Sequence, residues 1–393
     1  MHYFIPLGGV VEQVGALHKL LTDRVREKGR ITFADFMAAC LYEPGLGYYT
    51  SPGRKVGAEG DFYTSSNVHL VFGRLIGREI CQMWETMGRP DDFTLMEVGA
   101  ANGRLARDIL DTIAELAPDF YAILNCVLIE TEPSLKDVQR TMLGEHSTKT
   151  SWNTPAALAG GEISFSGCLY SNELIDSFPV HLVEMTPNGL QEVYVALDGD
   201  GFKEELGEPS TPAIAAYLNF LGMELTIGQR GEINLQALEW LRSVACALRS
   251  GFILTVDYGY LAEELFGPMR KNGTLLCYYQ HKVEENPFIR VGAQDITSHV
   301  DFTTLMQRGE EFGLGTVWFG EQYRFLLAAG MMEEMMALEE RAKTEEERLK
   351  NRLALKKLML PEGGMGDTFK ILIQSRSVAN PQLLCMRDWG SMF

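Results

Sequence analysis

No apolar run in this 393-residue chain reaches the roughly 20 residues that a membrane-spanning helix needs, so membrane insertion is not expected. Basic residues are scarce. Lys and Arg number 35 against 53 Asp and Glu, a net charge of −18. Nucleic-acid binding needs basic surface to neutralise phosphates, so no nucleic-acid partner is expected, and the acidic balance would instead attract basic partners. The seven cysteines (Cys40, Cys81, Cys126, Cys168, Cys246, Cys277 and Cys385) never form a C-x-x-C pair, so no metal site is indicated. Their odd number and apolar neighbours fit reduced thiols. The N-terminus, M-H-Y-F-I-P-L-G-G-V-V, lacks the basic segment of a signal peptide and the Arg/Ser richness of a transit peptide. The expectation is a cytoplasmic protein of bacterial type.

Hydrophobic residues make up 46% of the chain, enough for a sizeable core in a large domain with insertions or in two domains. The chain is organised around Thr94 to Leu110, T-L-M-E-V-G-A-A-N-G-R-L-A-R-D-I-L. It reads as a buried strand over Thr94 to Val98, a small-residue loop from Gly99 to Gly103, and a helix from about Arg104. That is the first βα unit of a nucleotide-type α/β fold. The loop is neither a Walker loop, which ends in G-K-[ST], nor the dinucleotide fingerprint G-x-G-x-x-G. An acid, Glu97, stands at the strand tip, where it would repel a pyrophosphate and suit a cation such as the amino group of a methionine moiety. The pattern E-x-G-x-A-x-G resembles the first motif of class I S-adenosylmethionine (SAM) methyltransferases, with Ala101 in place of the middle glycine. A tight βα turn in another α/β protein gives the same pattern.

Residues 1–90 read as a mainly helical region, with helices over Val11–Lys28, Phe33–Cys40 behind a Thr32 cap, and Val68–Met87. Two loops interrupt it, the tyrosine-rich Y-E-P-G-L-G-Y-Y-T from Tyr42 and G-A-E-G-D-F-Y-T-S from Gly57. Residues 91–393 read as the core, with insertions at about 186–232 and 262–312. The second strand, Asn125 to Glu130, ends in an acid that can accept hydrogen bonds from both hydroxyls of a ribose. A surface acid capping the next helix is the bland alternative. A third strand over Cys168–Tyr170 runs into Ser171, Asn172, Glu173 and Asp176. Two carboxylates and an amide at such a tip are costly to bury without partners. Helix capping by Ser171 or Asn172 is the competing explanation. Further on come a hairpin at Val193–Phe202, a helix at Leu235–Arg249 stopped by Gly251, and strands at Phe252–Tyr260, Thr316–Leu327 and Thr368–Gln374. A single charged helix is expected over Met331–Met359.

Seven segments together carry a wider resemblance: Y-E-P-G-L-G-Y-Y-T, G-D-F-Y-T-S, the Glu97–Gly103 loop, S-N-E-L-I-D-S-F-P-V-H, D-Y-G-Y, G-T-L-L-C-Y-Y-Q-H with D-I-T-S-H-V-D-F, and M-L-P-E-G-G-M-G-D-T-F-K. On these the chain resembles the MidA-like family of SAM-dependent methyltransferases, which includes the mitochondrial complex I assembly factor with protein arginine methyltransferase activity. The resemblance implies an α/β fold of class I, Rossmann-like, with a seven-stranded, mostly parallel sheet. It implies SAM as cofactor, held by Glu97, Gly99, Ala100, Asn102, Gly103, Glu130 and Ser171, with Thr64 from the N-terminal loop. It implies a protein substrate, a subunit of respiratory complex I or another protein with a basic segment. On this footing Glu173 and Asp176 would grip an arginine acceptor, Asn172 would position it, and Asp61 would help close the cleft. A small-molecule or other-residue methyltransferase, a non-catalytic SAM-binding assembly factor, and an NAD oxidoreductase are the rival readings.

Overall fold

The computed structural model of the chain describes residues 7–51, 68–360 and 365–387, with side chains from residue 15. It divides into two compact units, one of residues 64–174, 240–259 and 306–393, the other of residues 1–63, 175–239 and 260–305.

The first unit is built on a sheet. Its strands are β1 (Phe93–Val98), β2 (Leu124–Ile129), β3 (Thr150–Asn153), β4 (Phe165–Asn172), β5 (Leu248–Tyr260), β6 (Gly315–Glu321) and β7 (Phe369–Arg376), lying in the order β6-β7-β5-β4-β1-β2-β3. Strands β5, β4, β1, β2 and β3 pair in parallel, and β7 runs antiparallel to both of its neighbours. These seven strands are the expected, mostly parallel arrangement. From β1 the chain steps outward through β2 and β3, then returns to the other side of β1 as β4. The strand order therefore reverses between β1 and β4, and in open parallel sheets the ligand crevice opens beyond the carboxyl ends of the strands at such a switch.

Side chains alternate across a strand, so the register decides which residues share a face. Pairing Glu97 with Leu128 and Tyr170 places Leu95, Glu97, Cys126, Leu128, Cys168 and Tyr170 on one side. The helices α1 (Val71–Thr86) and α2 (Arg104–Leu116) contribute to the same buried cluster. In α2 the buried Leu105, Ile109 and Ile113 recur at helical spacing, each worth about 1.5–3 kcal/mol when removed from water.

Gly251 is not the helix stop that the sequence suggests. The helix ends at Ala247 and β5 begins at Leu248, running through Gly251 at φ 131°. A Cβ on Gly251 would lie 1.9 Å from the carbonyl oxygen of Gly167, and one on Gly167 would lie 2.2 Å from that of Thr94. Three central strands thus approach too closely for any side chain at these points. Other boundaries also differ from expectation. The strand expected over Cys168–Tyr170 extends over Phe165–Asn172. The stretch read as one strand, Thr316–Leu327, divides into β6 and a helix over Gln322–Ala328. The long charged helix is two, Met331–Arg341 and Glu345–Met359, because Thr344 turns extended and its side chain accepts from the Glu347 amide.

The second unit holds the helix Leu7–Lys28 and the helix Phe33–Tyr42, whose Thr32 cap accepts from Asp35 N at 3.0 Å. Among the described residues its larger sheet is antiparallel and orders Ile31–Thr32, Gly189–Asp198, His181–Thr186 and Arg230–Ile233, with Gly201–Gly207 also on Gly189–Asp198. The expected hairpin is there, turning at Asp198–Gly201. A small sheet of Leu276–Tyr279, Lys282–Glu284 and Asp295–Thr297 organises the segment that reads as loop-rich.

Candidate functional site

The tips of β1, β2 and β4 carry the polar groups of the first unit. After β1 the backbone turns left-handed at Gly99, Ala101 and Gly103, with φ of 75°, 45° and 81°. The Gly99 amide donates to Ile129 O at 3.0 Å and the Gly103 amide to Ala100 O at 2.7 Å, which closes the turn. Ala101 therefore adopts the conformation that the motif ordinarily assigns to glycine. Gly103 precedes α2 and has no side chain to cap it. Asn102 Oδ1 does part of that work, accepting from Arg104 N at 3.0 Å.

Glu97 is buried beneath this turn. Its Oε2 accepts from the Tyr170 hydroxyl at 3.0 Å, and the carboxyl also takes the Ala106 amide in the first turn of α2. Burial pushes its pKa up to about 8; the Tyr170 hydrogen bond opposes that rise and the charge of Glu130 adds to it. Tyr170 is buried as well, and its own pKa is raised by burial and by the Glu97 charge.

Glu130 follows β2 directly. Its Oε1 accepts from Thr131 N at 2.9 Å and Glu132 N at 3.2 Å, and its Oε2 from Gln139 Nε2 at 3.1 Å. Burial raises its pKa against these three donors. A carboxylate offers about four acceptor positions, so among the described residues one on Oε2 remains for a ligand hydroxyl.

At the tip of β4, Ser171 Oγ and Asn172 Oδ1 are buried and have no hydrogen-bond partner among the described residues. Asn172 Nδ2 donates to Glu173 Oε1 at 3.0 Å. Glu173 is held in a left-handed backbone, φ 53°, with its amide donating to Val256 O at 2.9 Å. The next amide, Leu174 N, donates to Asp257 Oδ2 at 3.2 Å, and Asp257 also accepts from Tyr258 N. Ser171 and Asn172 belong to the strand itself and, among the described residues, cap no helix.

The structure thus brings Glu97, Gly99, Ala100, Asn102, Gly103, Glu130, Ser171, Asn172 and Glu173 into one unit, at the ends of adjoining strands and in the turn after β1. Asp176 belongs to the other unit, buried in the short turn Ile175–Ser177, where its carbonyl accepts from Ser298 N at 2.9 Å. Asp61 and Thr64 lie outside the described residues. Three residues of the first unit's network were not singled out from the sequence as site residues. Tyr170 could have been found from its alternation with Asn172, on the side of β4 that faces Glu97. Asp257 lies near the carboxyl end of β5, much as the other acids lie at the ends of their strands. Gln139 carries no signal, since nothing in L-K-D-V-Q-R distinguishes it from an ordinary helix residue.

The buried Glu97, the half-buried Glu130 with an unfilled carboxylate position, and the orphaned polar atoms of Ser171 and Asn172 form a set of groups that suits a ligand with positive charge and hydroxyl groups. Residues 75–320 match the family described as "Putative S-adenosyl-L-methionine-dependent methyltransferase". Curated relatives include Protein arginine methyltransferase NDUFAF7, mitochondrial, of Homo sapiens, 28% identical over 335 residues, 78% of this chain and 72% of the relative. The Drosophila melanogaster homolog is 27% identical over 326 residues, 76% of this chain and 71% of its own. Among solved structures, a protein from Burkholderia thailandensis bound to S-adenosyl-homocysteine is 28% identical with a TM-score of 0.85, covering 98% of this chain and 97% of that one. Among the described residues no helix is long and apolar enough to cross a membrane.

Proposed function

This chain belongs to the S-adenosyl-L-methionine-dependent methyltransferase family, and from that premise we propose that its acceptor is an arginine side chain of a protein. SAM supplies a methyl group already activated on a sulfonium, so the residues of the chain have to bind, align and exclude water. Glu130 receives the ribose, the Gly99–Gly103 turn lets the backbone approach the cofactor, and Glu97 supplies negative charge beneath it.

The observation that carries the arginine reading is the Asn172–Glu173 pair at the tip of β4, beside the β1 tip. Arginine stays protonated at any physiological pH, so its guanidinium must be oriented rather than deprotonated in advance. A carboxylate binds it through two parallel hydrogen bonds and concentrates charge on the nitrogens that face away. Glu173 fits that task because its backbone is fixed by Val256 and its Oε1 by Asn172. Asp176, three residues further along the chain, is the second carboxylate that the sequence offers. The net charge of −18 favours a basic segment as substrate, and the relatives' names as protein arginine methyltransferases point the same way. A respiratory complex I subunit is the first protein to try.

The test is incubation with isotopically labelled SAM and arginine-containing basic peptides or complex I subunits, with release of S-adenosylhomocysteine and the methylated residue read by mass spectrometry. Methyl groups on arginine support the proposal. Methyl groups confined to lysine or to small molecules, or binding of SAM with no turnover in the presence of any protein acceptor, overturn the arginine assignment.

A further inference from the structure

Gln139 lies on α3 (Leu135–Leu143), fully buried, and joins three elements by its one amide. Its Oε1 accepts from Trp152 Nε1 at 2.8 Å, and its Nε2 donates both to Ala101 O at 2.9 Å and to Glu130 Oε2 at 3.1 Å. The direction of the amide is fixed chemically. An indole N–H can only donate, so the Gln139 oxygen must face Trp152 and its two N–H groups must face the loop and the acid. Trp152 is itself held from α3, with Lys136 Nζ 5.4 Å and the Arg140 guanidinium 5.2 Å from its ring centroid. Trp152 is thus tied to α3 both through its ring and through its Nε1–H bond to Gln139. A Cβ added at Gly103 would lie 3.3 Å from the Gln139 backbone, so the end of the loop is packed against the same residue.

We propose that Gln139 is a positioning residue for nucleoside recognition: it holds Glu130 with one acceptor position turned to a ribose hydroxyl and ties that acid to the Gly99–Gly103 turn. The inference rests on the reading of Glu130 as the ribose acid. Without the Gln139 bond, Glu130 Oε2 has no donor among the described residues, while Oε1 stays bound to Thr131 and Glu132. The carboxylate is then free to turn about that anchor. The carbonyl of Ala101, in its left-handed backbone, loses its buried donor in the same event. Acid and loop therefore shift together, and ribose discrimination should suffer more than the affinity for the rest of the cofactor.

The experiment measures binding of S-adenosylhomocysteine and of its 2′-deoxy analogue by calorimetry to the wild type, Gln139→Leu, Trp152→Phe and Glu130→Ala. The wild type should prefer the ribose form by about tenfold or more, the range of a hydrogen bond to a charged acceptor. Glu130→Ala should bring the ratio close to one. Gln139→Leu should lower it to within about threefold, and Trp152→Phe, which keeps the ring and removes only the N–H, should lower it partway. Trp152→Phe also serves if Gln139→Leu fails to fold. If Gln139→Leu and Trp152→Phe weaken both ligands equally, with the wild-type ratio retained, Gln139 is structural only and the proposal is overturned. If Glu130→Ala binds both ligands as the wild type does, the reading of Glu130 falls and the proposal with it.

Discussion

The Tyr170 hydroxyl donates to Glu97 Oε2 at 3.0 Å across β1 and β4, from positions paired in the register of the sheet. A buried acid with a pKa pushed up to about 8 holds its proton at neutral pH. A cationic ligand favours the ionised form, because opposite charges nearby lower the pKa of an acid. Binding of SAM at pH 7 should therefore release close to one proton. Calorimetry in two buffers of different ionisation enthalpy reads that number directly. Affinity should rise with pH and level off above about 8, and Glu97→Gln should remove both effects. A proton count of zero in the wild type would mean that Glu97 keeps its proton when the cofactor binds.

The same carboxyl affects folding. Its pKa is about 8 in the folded chain against an ordinary value of 4.5. Between those values the folded state keeps a proton that the unfolded state has lost, so this group's contribution to stability is greatest below about pH 4.5 and declines as pH rises to 8. Glu79, buried and pushed up to about 7, acts in the same direction. The comparison must therefore be between Glu97→Gln and the wild type, which share Glu79. Denaturant titrations of the cofactor-free proteins should show Glu97→Gln gaining on the wild type by about 2 kcal/mol between pH 5 and pH 7. A gap that does not change with pH would place the Glu97 pKa near its ordinary value.

Ala101 takes φ 45°, a conformation that costs an alanine of order 1 kcal/mol relative to glycine. The Gln139 amide on its carbonyl helps to hold it there. Replacement Ala101→Gly should stabilise the protein by about 1 kcal/mol, read as a higher urea midpoint at unchanged slope. A lower midpoint would show that the alanine methyl makes a packing contact worth more than the strain.

The first strands of the sheet and the acids at their tips were legible because each has a local cause, while the seven-stranded arrangement came from the family resemblance. A short apolar run before glycine marks β1, and acids that end such runs stand out as Glu97, Glu130 and Asp257 do. The boundaries that moved have tertiary causes. Gly251 resembles a helix stop until Gly167 is brought alongside it, and only the paired strands show why both positions exclude a side chain. Gln139 was invisible for the same reason. Its role exists only when Trp152, Ala101 and Glu130 converge on one amide, from positions up to 38 residues away in the chain.

The arginine assignment is most exposed at Glu173. Its carboxylate is anchored by the Asn172 amide at 3.0 Å, and its backbone is fixed in a left-handed turn by Val256 and followed at once by the Asp257 contact to Leu174. Glu173→Gln keeps the shape and the hydrogen-bonding reach and removes only the charge. If the charge orients a guanidinium, methyl transfer to an arginine peptide should fall by about a hundredfold or more. The affinity for S-adenosylhomocysteine should stay within about twofold, since a group that acts on the acceptor alone leaves cofactor binding intact. A parallel loss of cofactor affinity would move Glu173 into the cofactor site. Unchanged transfer would remove it from the reaction, and the acceptor carboxylate would have to be sought at Asp176.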